Sequence, residues 1–242
     1  MLEIENLTKR FGAFTAVDGL TLSVGKGEVL GFLGPNGAGK TTTMKMVTGF
    51  LLPDGGTARV CGHDIGTDTI AAQARLGYLP EGAPGYGEMT PREFLKFIAR
   101  IRGLHGDAAR AAEDLAIART GLGPLLDRPI ENLSKGFRRR VGLAQAILHN
   151  PEVLVMDEPT DGLDPNQKHA VRDLIKSIAA EKTIIISTHL LEEVEAICTR
   201  AVIIDRGRLV ADGTPAELAQ RAASGKLDDV FRGLTSREEA VS

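Results

Sequence analysis

Gly34-Pro35-Asn36-Gly37-Ala38-Gly39-Lys40-Thr41-Thr42 follows the apolar run Val29-Leu30-Gly31-Phe32-Leu33 and opens a segment, Thr41 to Val47, of helical character. The order is therefore strand, glycine loop, helix N-terminus. Three glycines let the backbone curl so that successive N–H groups point inward at one anion. The helix start adds unsatisfied donors and the positive end of its dipole. Gly34, Pro35, Asn36, Gly37, Ala38 and Gly39 are thus expected to cradle phosphates and Lys40 to reach the outer ones. Thr41, followed by Thr42, offers a hydroxyl to Mg²⁺. In this context the spacing predicts a nucleoside triphosphate site rather than an ordinary turn.

Bulk properties narrow the setting. A chain of 242 residues, 43% hydrophobic and 25% charged, suits one large α/β domain or a domain with a subdomain. A net charge of −3 makes no electrostatic case for nucleic acid or an anionic membrane surface. No apolar run approaches the ~20 residues of a membrane span, and Met1 to Glu5 lacks the regions of a signal peptide. Cys61 and Cys198 are isolated, without metal-type spacing, so a cytosolic location is expected. Work at a membrane would require another chain to span it.

Along the chain, Leu2 to Val24 alternates in the manner of half-exposed antiparallel strands. Val29 to Leu33, Val153 to Met156, Ile184 to Ile186 and Val202 to Ile204 are continuous apolar runs, the mark of strands buried on both faces of a parallel sheet. Helical stretches alternate with them, which argues for α/β architecture. Asp54-Gly55-Gly56 reads as a tight turn before an edge strand, Thr57 to Cys61. Thr90-Pro91-Arg92-Glu93 is a capping box, and the helix it starts carries Phe94, Leu95, Ile98 and Ile101 on one face. From Glu81 to Asn150 the buried strand pattern is missing. The expected organisation is one domain, 1–242: a nucleotide-binding core over 1–80 and 151–212, a helical subdomain over 81–150, and a tail over 213–242.

Val153-Leu154-Val155-Met156 runs into Asp157-Glu158. A buried strand ending in two carboxylates places them at the carboxyl edge of the sheet, where ligands of open α/β sheets bind. Asp157 is suited to hold Mg²⁺ through its waters, and Glu158 to orient or deprotonate an attacking water.

Three further stretches follow in order: Leu133-Ser134-Lys135-Gly136-Phe137 before a helix, Asp161-Gly162-Leu163-Asp164 after the acidic strand, and Ser187-Thr188-His189 after the next. With the glycine loop and Asp157-Glu158, they resemble the signature, D-loop and switch histidine of the ABC ATPase family, over Leu2 to about Asp212. The resemblance implies a P-loop NTPase core with a mostly parallel sheet, an N-terminal antiparallel β subdomain and an inserted helical subdomain. It implies ATP and Mg²⁺ as ligands and hydrolysis to ADP and phosphate. Two such domains pair head to tail, so Ser134 and Gly136 of one would face the ATP held by the other. Asp164 falls on the nucleotide side as part of the D-loop, besides capping a helix with Pro165-Asn166-Gln167. His189 looks like the residue that orients Glu158, water and the γ-phosphate. Phe11 sits where the family usually carries an adenine-stacking Tyr, and Val17 is a candidate to pack on the same base; an ordinary strand aromatic is the alternative for Phe11.

Where most members have Gln the chain has Glu81, whose carboxylate can still ligate Mg²⁺. Lys135 replaces the family's Gly, either as a cation near the γ-phosphate or as a solvent-facing side chain, and Asp161 replaces the usual Ser. Arg138 to Arg140 reads mainly as a solvated face. Glu81 and the tail Leu227 to Phe231 resemble the exporter branch, whose permeases are separate chains. The expected protein is the ATPase subunit of such a transporter, working as a homo- or heterodimer on the inner face of the membrane, with its membrane contact through the permease. Tyr86, Met89 and Phe94 are the candidates for that contact; the alternative is that they only close the subdomain core. A soluble ABC ATPase of the iron–sulfur assembly type is the rival; the signature Ser134 and His189 argue against a P-loop kinase, and the lack of an Asn-Lys-x-Asp stretch against a GTPase.

Overall fold

The computed structural model describes residues 1–82 and 86–235. The middle of the Glu81 to Met89 loop and the last seven residues of the tail therefore lie outside the described residues. The chain opens with β1 (Leu2–Phe11) and β2 (Phe14–Val24), continues through β3 (Val29–Leu33) into α1 (Lys40–Val47), and then forms β4 (Gly55–Val60) and β5 (His63–Asp64). Next come α2 (Thr69–Ala74), β6 (Leu76–Leu79), and three helices without an intervening strand: α3 (Pro91–Ile101), α4 (Gly106–Thr120) and α5 (Lys135–Ile147). The chain returns through β7 (Val153–Asp157), α6 (Pro165–Ala179), β8 (Thr183–Thr188), α7 (Leu191–Ile197), β9 (Arg200–Asp205), β10 (Arg208–Gly213), α8 (Pro215–Ala219) and α9 (Leu227–Thr235).

Two sheets result. β2-β1-β4-β5 is antiparallel, and β10-β9-β3-β8-β7-β6 is parallel except at β10. The continuous apolar runs are explained by burial on both faces. In β7, Val153 and Val155 pack with α1 and the antiparallel sheet, while Leu154 and Met156 pack with α5 and α6. Helices α8 and α9 cover a third cluster through Leu218, Leu227 and Val230.

Turn chemistry differs slightly from the reading. Gly55 and Gly56 both belong to β4, but Gly56 has φ +71, and a Cβ there would strike the Asn6 carbonyl. The capping box at Thr90 is present: Thr90 Oγ1 accepts from Glu93 N, and Glu93 Oε2 accepts from Thr90 N at 2.9 Å.

Candidate functional site

The carboxyl ends of β3, β6, β7 and β8 converge at one edge of the parallel sheet, and a cleft of about 410 Å³ opens beside it. Its floor is the loop from Pro35 to Thr42; its walls are Phe11, Phe14 and Ala16 on one side and Glu81 and Glu158 on the other. The loop's conformation demands glycine at its end. Gly39 has φ +104 and a Cβ there would meet the Ala16 carbonyl, so no other residue fits without strain. Gly39 caps α1 without a side-chain acceptor, leaving the first helical N–H groups available to an anion.

Within the loop the residues divide. Pro35, Asn36, Gly37 and Gly39 to Thr42 line the cleft. Gly34 and Ala38 lie behind it: a Cβ on Gly34 would enter the Ile204 carbonyl, and the Ala38 carbonyl accepts from Gly207 N at 2.9 Å. These contacts brace the loop against the β9–β10 turn. Lys40 is buried, and its ammonium donates to the carbonyls of Gly34 at 2.6 Å and Pro35 at 3.3 Å. Burial pushes its pKa below the usual lysine value, while the nearby Glu158, Asp157 and Glu81 carboxylates pull the other way.

The acidic strand end is closely held. Asp157 is fully buried; its Oδ1 accepts from the Ser187 hydroxyl of β8, while Oδ2 has no hydrogen-bond partner. An orphaned buried carboxylate oxygen is costly unless a cation or a cation-bound water meets it, so the donor set fits Mg²⁺. Glu158 adopts φ +51, and its amide donates to the Ser187 carbonyl at 3.0 Å. His189 Nδ1 stands 3.0 Å from Glu158 Oε1. The acid is the less exposed partner of the pair, so His189 forms its outer lid.

Several expected residues are placed differently. Val17 is buried beneath the glycine loop, and Ala16 occupies the cleft wall, because strand alternation turns the larger side chain inward. Phe11 is half exposed on the cleft, and Phe14, its cross-strand partner, joins it there. The pairing of two aromatics across a hairpin was legible in Phe11-Gly12-Ala13-Phe14, but the alternation reading did not single out Phe14. Ser134 caps α5, accepting from Phe137 N at 3.4 Å, and Asp164 caps α6, accepting from Gln167 N at 2.9 Å. Ser134, Gly136 and Asp164 are not part of this chain's own cleft lining. Gly136 packs so tightly on α6 that a Cβ would overlap Gln167 Oε1.

Two surface expectations are corrected, at Arg139 and Phe94. Lys135 keeps to the surface, in line with its solvent-facing reading, and its ammonium pairs with Asp161 at 2.8 Å, which holds that carboxyl below the usual range. The two departures from the family's motifs are thus partners. Arg139 is not solvated; only 6% of it is exposed. Phe94 is likewise buried, in the core beneath α3, so it closes the subdomain and presents no face to another chain. Tyr86 is exposed and meets Phe97 edge-on at 5.9 Å between ring centroids.

A family model described as ABC transporter matches residues 17–161. Among curated proteins, the chain is 41% identical over 219 residues to a Nod factor export ATP-binding protein I from Ralstonia nicotianae, covering 90% of this chain and 68% of that one. It is 39% identical over 223 residues to the linearmycin resistance ATP-binding protein LnrL of Bacillus subtilis, covering 91% and 71%. Among solved structures, an ATP binding subunit of an ABC transporter superposes with a TM-score of 0.89 at 29% identity, covering 97% of this chain and 99% of the other.

Proposed function

Since the chain belongs to the ABC transporter ATPase family, we propose that it is the ATP-hydrolysing subunit of an exporter and drives a membrane permease carried on a separate chain. Relatives named for Nod factor export and linearmycin resistance support the export reading. No helix among the described residues is long and apolar enough to cross a membrane.

One observation carries the chemistry: Glu158, held against His189, faces the same cleft as the glycine loop, beside the buried Asp157. The assigned roles follow from it. The loop N–H groups from Gly37 to Thr42 and the α1 terminus bind the phosphates, and Lys40 turns from the Gly34 and Pro35 carbonyls to the outer phosphate oxygens. Asp157, Thr41 and Glu81 would hold Mg²⁺, which supplies charge neutralisation on the phosphates. Glu158 orients or deprotonates water, and His189 holds Glu158 in place. Phe11 stacks on the base, with Phe14 beside it. Ser134 and Gly136 stand apart from the chain's own cleft, which supports a head-to-tail dimer in which each chain completes the other's site. Asp164 belongs to the same dimer-facing segment.

The permease's place is the groove of about 650 Å³ between α2, β6 and α3. Phe50, Ile70 and Ile101 stand exposed on its rim, a concentration of apolar surface suited to receiving another chain's helix. Localisation on the inner membrane face follows from the permease rather than from this chain.

Glu158→Gln tests the catalytic reading. The variant keeps its size and loses the proton-accepting charge, so MgATP should accumulate it as a long-lived dimer with turnover down about 100-fold or more. Turnover near that of the parent would refute the role assigned to Glu158.

A further inference from the structure

Arg139 lies in the first turns of α5, four residues after Lys135 at the helix start. A guanidinium carries five N–H donors in a rigid planar fork. Here they meet five backbone carbonyls. Nε donates to Pro159 at 3.3 Å; Nη1 donates to Pro80 at 2.6 Å and Gly82 at 3.2 Å; Nη2 donates to Asp157 and to Glu158, the latter at 2.6 Å. Among the described residues, Arg139 forms no ion pair with a carboxylate.

The five acceptors fall into two segments. Pro80 and Gly82 follow β6 and flank Glu81; Asp157, Glu158 and Pro159 are the exit of β7. Both segments leave the sheet at its carboxyl edge, where the ladder stops and carbonyls need new donors. Burying a cation for this purpose is expensive, because filling the same volume with an apolar side chain avoids the desolvation. What an apolar side chain does not do is fix two loops and a helix relative to one another. Glu158 needs such fixing: its left-handed backbone, φ +51, is a conformation that non-glycine residues seldom hold unaided.

The geometry points to Arg139 as a positioning residue for Glu158. It ties the helix that begins at Ser134 to the turn that aims the catalytic carboxylate, and it ties both to the segment carrying Glu81. A shift of α5 thereby moves Glu158, so closure of the signature helix on a partner's nucleotide is linked to alignment of the water-activating group. The inference rests on the catalytic reading of Glu158, and the Glu158→Gln control separates the two.

Arg139→Gln and Arg139→Lys in the full chain test it, with MgATP at dimerising protein concentration. Gln keeps a planar amide with two donors; Lys keeps the charge without the fork. Turnover should fall about 10- to 100-fold in Arg139→Gln, as for removal of a group that holds a catalytic residue in place. Affinity for ATP should stay within about threefold, since Arg139 does not touch the glycine loop. The ATP-bound dimer should persist as it does in Glu158→Gln. Arg139→Lys should stay well below the parent, because charge alone does not replace the fork. Parent-like turnover in either variant overturns the proposal. So does parallel loss of ATP affinity, turnover and melting temperature, which marks a merely structural role. If Arg139→Gln does not fold, Arg139→Lys decides; failure of both to fold assigns Arg139 to the core and overturns it. If Glu158→Gln itself turns over normally, the catalytic reading has failed instead.

Discussion

Replacing Phe11 by Ala isolates the adenine contact from the phosphate contacts. Phe11 is 51% exposed on the cleft wall, at the end of the β1–β2 hairpin. Lys9 Nζ lies 5.6 Å from its ring centroid, so the ring is already oriented. A phenylalanine side chain offers roughly 200 Å², so about half of that is open to a stacking base. At about 25 cal/mol per Å², covering it contributes up to ~2.5 kcal/mol, with ~1 kcal/mol as a floor for an imperfect stack. The dissociation constant for ATP should therefore rise about 5- to 70-fold. Inorganic tripolyphosphate, which reads only the loop, should bind parent and variant alike. Calorimetric titration of both ligands provides the assay, with Phe11→Tyr as the control expected to bind as the parent does. A change below about twofold for ATP, or an equal loss for tripolyphosphate, would refute the stacking argument.

Two stability predictions come from charges elsewhere. Burial pushes the His149 imidazole down to about 4 from the usual 6.5, and its Nε2 lies 3.1 Å from the Leu76 carbonyl. The unfolded chain therefore takes up its proton first as pH falls, so this contribution is intact above pH 6.5 and is lost progressively towards pH 4. The full effect is up to ~3 kcal/mol. Urea midpoints at neutral and acidic pH should diverge in the parent and converge in His149→Gln. Asp161→Asn removes the Lys135 pair, but both side chains are more than half exposed, so the cost should stay within ~1 kcal/mol and vanish at high salt. Thermal melts with and without added salt check this; a larger loss would mean that the pair also braces the segment between β7 and α6.

The resemblance read from the motifs led to the family, and the elements behind it were legible for physical reasons. Val153 to Met156 is apolar at every position, and only a strand covered on both faces demands that. Thr90 and Glu93 stand three apart, and the cap they form needs nothing from the rest of the chain. The carboxylates ending β7 were likewise readable, because a strand's last residue sits at the sheet edge whatever surrounds it. Val17, Phe94 and Arg139 show where such reading stops. Each belongs to a pattern that fits two outcomes: a strand position in or out, a helix face covered or bare, a basic run wet or dry.

What the sequence alone determined is therefore the local chemistry: the glycine loop, the helix caps, the strand that ends in Asp157 and Glu158, and the order of these motifs. Neighbouring residues carry the instructions for each of these. Tertiary structure decided which side chains share a surface. It turned Ala16 rather than Val17 to the cleft, set Phe14 beside Phe11, and joined Lys135 to Asp161 across 26 positions. It also buried Arg139 under carbonyls up to 59 residues away. Three adjacent arginines have one local propensity, and only the loops folded over the middle one supply the acceptors that hold its charge away from water.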